Sequence, residues 1–199
     1  MKKLAFTFTI IVCITLIFLR LSITTAANTK SSTPEDKNSN MKKTEEAVEA
    51  STNLSLYTFP SATPVRAKAG NDKFKVTVSV KNQEVTVYKN STMIKKMSCS
   101  TGLLEEDYAT PVGSYKVDGY SGYSFFNSKY QEGARYWVGF IDATYLFHSV
   151  PIDNNGAIIR EEADKLGTPA SHGCIRLSPI DAFWFYENIP KGADVLITN

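Results

Sequence analysis

Cysteine, histidine and tryptophan are scarce in this chain of 199 residues, which contains three, two and two of them respectively. A strong net charge is absent as well, because 22 basic and 20 acidic side chains leave a formal charge of +2. The first 27 residues contribute three positive charges, from Lys2, Lys3 and Arg20, and the chain without them has a net charge of −1. Binding to nucleic acid depends on a basic surface that neutralises phosphates, so we expect no nucleic-acid partner.

The chain also starts without a hydrophobic run that is long enough to span a bilayer. Residues 4–19 are uncharged and largely apolar, but as a helix they would extend about 24 Å, short of the ~30 Å hydrocarbon core. Basic residues precede this run, and the small residues Thr25, Ala26 and Ala27 follow it. This order is typical of a targeting segment. We therefore predict that residues 1–27 are a signal peptide or a membrane anchor, with possible attachment through residues 4–19, and that the protein is extracytoplasmic.

The rest of the chain divides into a polar segment and a patterned domain. Residues 28–72 are rich in polar side chains and are predicted to form a flexible tether. From Phe74 onward, apolar and polar residues alternate with period two, which predicts a meander of strands. Ser178, Pro179 and Asp181 predict the start of a helix, because Ser caps a helix and Pro suits its first turn. Residues 73–199 are thus expected to form a mainly β domain, a β-sandwich or meander with one or two short helices.

Both histidines of the chain, His148 and His172, lie within 27 residues of Cys174. A cysteine becomes a nucleophile when a neighbouring base or cation favours its thiolate, and imidazole is the usual partner. Gly173 permits a tight backbone conformation beside the cysteine, which would leave the amides of Gly173 and Cys174 free to face a developing oxyanion. The pattern therefore indicates a cysteine nucleophile for acyl transfer.

Two other interpretations of these residues stay open at this point. Two cysteines in an exported protein suggest a disulfide, here between Cys99 and Cys174, which would abolish thiol chemistry. The alternative is a zinc site formed by His148, His172 and Cys174, although it would have only three ligands and none of the common zinc spacings. Either would suit a non-catalytic wall-binding module better than an enzyme.

Several short motifs extend the thiol interpretation. His148 is followed by Ser171-His172-Gly173-Cys174-Ile175-Arg176, and upstream stand Ser100-Thr101-Gly102 and Thr110-Pro111-Val112-Gly113. This arrangement resembles the L,D-transpeptidase catalytic domain family over about residues 73–199. The resemblance implies a carbapenem-sensitive enzyme of cell-wall organisation, which acts on peptidoglycan stem peptides without a metal or other cofactor. It would form 3→3 cross-links through a thioester, or, as an L,D-carboxypeptidase, trim tetrapeptide stems.

The same resemblance implies a role for individual residues. Cys174 would be the nucleophile and His148 the general base, with its second ring nitrogen held by the backbone carbonyl of Ser149. The amides of His172, Gly173 and Cys174 would form the oxyanion hole. Similar enzymes carry a lid over the cysteine, formed by the aromatic stretch between the motifs. The expected substrate contacts are Ser171, Arg176, Tyr136 and Trp137, where Ser171 could equally cap its own loop and Arg176 could form the pocket floor, hold a carboxylate or lie on the surface.

Overall fold

The computed structural model describes residues 56–105 and 107–199. The predicted signal or anchor segment, residues 1–27, and most of the predicted tether lie outside the described residues. The elements are β1 (Phe74–Ser79), β2 (Glu84–Lys89), β3 (Thr92–Ser100), β4 (Gly113–Lys116), β5 (Ser121–Asn127), β6 (Glu132–Ile141), β7 (Tyr145–Ser149), α1 (Arg160–Ala163), β8 (Ile175–Leu177), α2 (Pro179–Asn188) and β9 (Asp194–Thr198).

All nine strands belong to one curled sheet in the order β4-β9-β1-β2-β3-β8-β7-β6-β5. The predicted meander is present, since β1, β2 and β3 pair antiparallel in sequence order. Strand β3 continues beyond β2 and pairs with β8 through Cys99 and Ser100. This long strand joins the half of the sheet that contains the two termini of the domain to the half that contains β7 and β8. The expectation of a mainly β fold with short helices is confirmed.

The core follows directly from the alternation of side chains in β1 and β2. Val76, Val78, Val85 and Val87 are each at most 1% exposed, and the two strands pair so that Val76 lies opposite Val87. Complete burial of such a side chain contributes roughly 1.5–3 kcal/mol to folding. The apolar face of the meander is therefore a principal source of stability for the sheet.

Helix α2 begins where the sequence predicts, because the Ser178 side chain accepts a hydrogen bond from the Asp181 amide and Pro179 occupies the first turn. The residues of this helix that are buried include Ala182 and Phe185. Ile180 is 41% exposed, whereas Phe185 is fully buried and stacks on Phe147 of β7 with ring centroids 4.4 Å apart. The helix thus packs directly behind β7, one of the strands that carry the candidate site.

The last part of the predicted tether is in contact with the domain. The Arg66 guanidinium donates hydrogen bonds to the backbone carbonyls of Tyr186 and Ile189, at 2.8 and 2.5 Å. Phe59 packs edge-on against Tyr136 with ring centroids 5.8 Å apart. Phe59 and Arg66 therefore attach this segment to the domain. Among the described residues, no helix is long and apolar enough to cross a membrane.

Candidate active site

A cleft of about 510 Å³ lies on the face of the sheet opposite the packed core. It is formed by β5, β6 and β7, by the loop before β7 and by the segment that leads into β8. Six of the residues singled out in the sequence line it. They are Trp137, His148, Ser171, His172, Cys174 and Arg176.

The parallel pairing of β7 and β8 brings the two central residues together. In this register Phe147 lies opposite Ile175, and His148 lies opposite Arg176. Phe147 and Ile175 are fully buried in the core. Because side chains alternate across a strand, His148, Cys174 and Arg176 face the other way, into the cleft. Residues that are 26 positions apart in the sequence thus share one wall of the cleft.

The tautomer of His148 is set by its hydrogen bond to the chain. Nδ1 lies 2.6 Å from the carbonyl oxygen of Ser149, which can only accept a hydrogen bond, so Nδ1 carries the proton. Nε2 is then the unprotonated nitrogen that is available to accept a proton. Burial lowers the pKa of His148 to about 4, and the positive charge of Arg176 adds to this effect. The imidazole is therefore neutral at ordinary pH.

Cys174 is half-buried immediately before β8. Burial raises the pKa of its thiol to about 11, although a hydrogen bond from the Leu146 amide and the charge of Arg176 partly oppose this. Sγ lies 3.7 Å from the carbonyl oxygen of Thr144, to which the thiol can donate. The resting pair is thus a neutral thiol and a neutral imidazole. Such a pair suits general-base catalysis, in which the proton moves as the sulfur attacks.

Ser171 organises the turn that presents the cysteine. Its hydroxyl donates to the carbonyl oxygen of Cys174 at 2.6 Å and accepts from the amide of Gly173 at 3.0 Å. The Gly173 amide is consequently occupied, so the expectation that it is free to bind an oxyanion is wrong for this conformation. Gly173 has φ +108°, and a Cβ atom there would lie 2.6 Å from Cε1 of Tyr145. The turn requires glycine for both reasons.

The two upstream motifs hold this turn in place. Thr110 accepts a hydrogen bond from the Gly102 amide at 2.8 Å and donates to the Gly173 carbonyl at 2.9 Å. Gly102 also packs so closely that a Cβ atom there would lie 2.9 Å from Cα of Gly173. The carbonyl of Thr101 accepts from the amides of Ala170 and Ser171. The T-P-x-G and S-T-G signals therefore mark contacts that position the cysteine, a role that the motifs alone do not reveal.

Arg176 forms the floor of the cleft and is only 3% exposed. Its guanidinium donates to Glu162 at 2.6 Å and to Glu132 at 3.1 Å. Burial tends to raise the pKa of Glu162, but hydrogen bonds from Lys165 and Arg176 hold it below its ordinary value. Neither glutamate has a signal in the sequence, because they stand 44 and 14 positions from Arg176. Of the possible roles for Arg176, a surface position is excluded.

Tyr136 and Trp137 face opposite sides of β6. Trp137 lines the cleft, and the ring of Phe125 contacts both Trp137 and His148. Tyr136 is 1% exposed and contacts the rings of Phe59, Tyr123 and Phe183, away from the cleft. The expectation that Tyr136 contacts substrate is therefore wrong, because adjacent residues of a strand point to opposite faces. Tyr136 also has φ +56°, a strained conformation for a bulky residue.

His172 is exposed and lines the cleft. Its ring stacks on Tyr130 with centroids 4.3 Å apart and meets the edge of Tyr108 at 4.8 Å. Within the part of the chain that the structure describes, no group of three or more His, Cys, Asp or Glu side chains could hold a metal ion. Cys99 and Cys174 are both free thiols, so the disulfide interpretation is wrong.

Fold and site together place a thiol and a buried imidazole in one cleft, and comparison with known proteins identifies the family. The family description "L,D-transpeptidase catalytic domain" matches residues 73–197. A relative is YciB of Bacillus subtilis (strain 168), provisionally named as an L,D-transpeptidase, which is 46% identical over 125 residues, or 62% of this chain and 64% of YciB. This chain belongs to the L,D-transpeptidase catalytic domain family.

Solved structures agree with this fold. An L,D-transpeptidase from Mycobacterium smegmatis matches with a TM-score of 0.54 and 18% identity, over 64% of this chain and 59% of that one. The L,D-transpeptidase LdtMt1, solved in complex with imipenem, matches with a TM-score of 0.52 and 22% identity over the same shares. The chain thus spans less than two thirds of the length of these relatives.

Proposed function

We propose that this protein is a peptidoglycan L,D-transpeptidase that forms 3→3 cross-links through a thioester on Cys174. The observation that carries the proposal is the pairing of β7 with β8, which faces Cys174 and His148 into one cleft while the Ser149 carbonyl keeps Nε2 of the imidazole unprotonated. The acyl donor would be a tetrapeptide stem, and the acceptor the side-chain amine of a neighbouring stem.

The first half-reaction follows from the protonation states of the resting pair. Sγ of Cys174 attacks the carbonyl carbon of the third stem residue while Nε2 of His148 takes the thiol proton. The carbon–nitrogen bond to the terminal D-alanine then breaks, and His148 returns the proton to the departing amine. The acyl group is left on Cys174 as a thioester.

The second half-reaction reverses these proton movements. An amine attacks the thioester carbonyl, His148 accepts the proton of that amine, and the carbon–sulfur bond breaks as the proton returns to sulfur. If water attacks instead, the product is a trimmed tripeptide, and the enzyme is an L,D-carboxypeptidase. The Cys174 amide, together with that of His172, is the candidate donor set for the oxyanion, since the Gly173 amide is engaged by Ser171.

Incubation with a tetrapeptide stem, followed by mass spectrometry, tests the proposal. We expect a cross-linked dimer with loss of one D-alanine, whereas a tripeptide alone would identify a carboxypeptidase. Carbapenem labelling of the protein is also expected, as a related structure contains imipenem. Cys174→Ala should abolish both dimer and label, and Cys99→Ala, which removes the buried thiol, should retain them. Labelling that persists in Cys174→Ala would overturn the assignment of the nucleophile.

We also propose that the enzyme acts outside the cytoplasmic membrane, secreted to the cell wall or tethered to the outer face of that membrane. The proposal rests on the order of basic, apolar and small residues in positions 1–27. Fractionation of cells that produce the full chain, with N-terminal sequencing of the mature protein, would distinguish secretion from tethering. Recovery of the unprocessed chain in the cytoplasm would contradict it.

A further inference from the structure

The charged side chains at the floor of the cleft form a chain of alternating sign. Lys165 donates to Glu162, Arg176 donates to Glu162 and Glu132, and the chain ends at Glu132. Of these four residues, only Arg176 and Glu132 line the cleft. Arg176 is already bound by two carboxylates, so the network ends in the cleft with an acidic group.

Glu132 retains capacity for another partner. Its Oε2 accepts from Arg176 at 3.1 Å, and the described residues offer no hydrogen-bond donor to Oε1. The side chain keeps 26% exposure, against 17% for Glu162 and 4% for Arg176. An ionised carboxylate has about four acceptor sites on its two oxygens, so one bond to Arg176 leaves Glu132 largely unsatisfied.

Glu132 lines the same cleft as His148, and an incoming amine must enter this cleft. Arg176 lies opposite His148 in the β7–β8 pairing and contacts Glu132, and all three residues line the cleft. In the proposed reaction the attacking amine hands its proton to His148. The amine must therefore approach this imidazole inside the cleft that Glu132 also lines.

Glu132 provides a local binding point for a cation in this cleft, beside the positive charge of Arg176. Free amines are protonated at neutral pH, so an acceptor arrives as an ammonium ion. Apart from the two histidines, the basic side chain that lines the cleft among the described residues is Arg176, whose charge is already paired with Glu132 and Glu162. His148 is held neutral by burial. Glu132 is therefore the charged side chain of the cleft that can accept further hydrogen bonds.

We propose that Glu132 is a specificity-determining residue that binds the ammonium group of the acyl acceptor and thereby favours amines over water. This assignment rests on the proposed thioester mechanism. Glu132 holds the ammonium near His148, and the amine attacks after one proton has left for solvent. The ion pair also concentrates the acceptor at the thioester, which raises the ratio of transfer to hydrolysis without any change at Cys174.

The test uses the full chain with separate donor and acceptor probes. The donor is a tetrapeptide stem whose side-chain amine is acetylated, so that it can only give its acyl group. One acceptor is a tripeptide stem with a free side-chain amine, and the other is hydroxylamine, which is largely uncharged at neutral pH. Glu132→Gln removes the charge in the cleft. Glu162→Gln is the matched control. It removes the charge of the other carboxylate that binds Arg176, and Glu162 does not line the cleft.

We expect Glu132→Gln to raise KM for the tripeptide amine about tenfold, the order of one charge-assisted hydrogen bond at a partly exposed site. Transfer to hydroxylamine and the single-turnover rate of thioester formation should not fall, which also shows that the variant is folded. Glu162→Gln should leave the acceptor KM within about twofold of wild type.

Three results would overturn the assignment: an unchanged acceptor KM in Glu132→Gln, an equal loss with hydroxylamine, or an equal increase of KM in Glu162→Gln. Failure of the proposed function has a different signature. If wild-type protein forms no thioester with the blocked donor, the acyl-transfer mechanism is refuted and the assignment of Glu132 is refuted with it. If wild type forms the thioester but Glu132→Gln behaves like wild type, only the role of Glu132 is refuted.

Discussion

The protonation state of the resting site predicts an unusual pH dependence for alkylation of Cys174. Burial raises the pKa of the thiol to about 11, while burial and Arg176 lower the pKa of His148 to about 4. Only the thiolate reacts with iodoacetamide. With a pKa of about 11, roughly one molecule in ten thousand carries the thiolate at pH 7, and the fraction rises tenfold per pH unit up to the pKa. A preformed thiolate–imidazolium pair would instead be largely ionised at pH 7.

Alkylation that is quenched at set times, followed by intact-protein mass spectrometry, measures the rate at each pH directly. The assay uses Cys99→Ala, so that Cys174 is the single thiol of the described domain. We expect the rate to rise about tenfold per unit from pH 7 to pH 10, without a plateau. His148→Ala should change the rate little in the absence of substrate, because a neutral imidazole does not stabilise the thiolate. An inflection below pH 7 that disappears in His148→Ala would refute the neutral-pair description.

Two further predictions concern stability. Because the folded pKa of His148, about 4, lies below its ordinary 6.5, the unfolded chain takes up the proton first as pH falls through this window. The free energy of unfolding should therefore fall by about 2 kcal/mol between neutral pH and pH 5 because of this residue. Urea unfolding of wild type and His148→Gln at pH 7.5 and 5 checks this, and equal losses in both proteins would contradict it. The second compares Gly173→Ala with Gly192→Ala, since both positions have positive φ but only Gly173 is crowded, by Tyr145. Each substitution should lower the free energy of unfolding by about 1–3 kcal/mol, because alanine is strained at positive φ. Gly173→Ala should lose more, and it alone should slow thioester formation; a slower reaction in Gly192→Ala would argue against the local explanation.

The sequence carries enough information to locate the thiol and the imidazole of the cleft but not to describe their neighbours. Cys174 and His148 stand out because imidazole and thiol are rare in this chain, and the structure places both in one cleft. Ser149 is also where the resemblance implies, with its carbonyl 2.6 Å from Nδ1 of His148. Glu132 is invisible in the sequence, because a surface glutamate and one that ends a buried ion-pair network have the same local pattern.

The errors have equally local causes. Tyr136 and Trp137 are equally suitable as substrate contacts by residue type, and only the pleat of β6 determines which of them faces the cleft. The sequence predicts a free Gly173 amide, because glycine permits the required turn. The Ser171 hydroxyl occupies that amide at 3.0 Å, a contact that depends on the full geometry of the turn.

The sequence by itself determines the features that depend on neighbours a few positions away. Alternation of valines specifies β1 and β2, Ser178 with Asp181 starts α2, and the spacing of the motifs indicates the family. Tertiary structure alone determines the register of β7 against β8, the partners of Arg176 and the protonation states of the site. These depend on contacts between distant segments and on the burial of charge, because desolvation is a property of the packed interior and not of the local sequence.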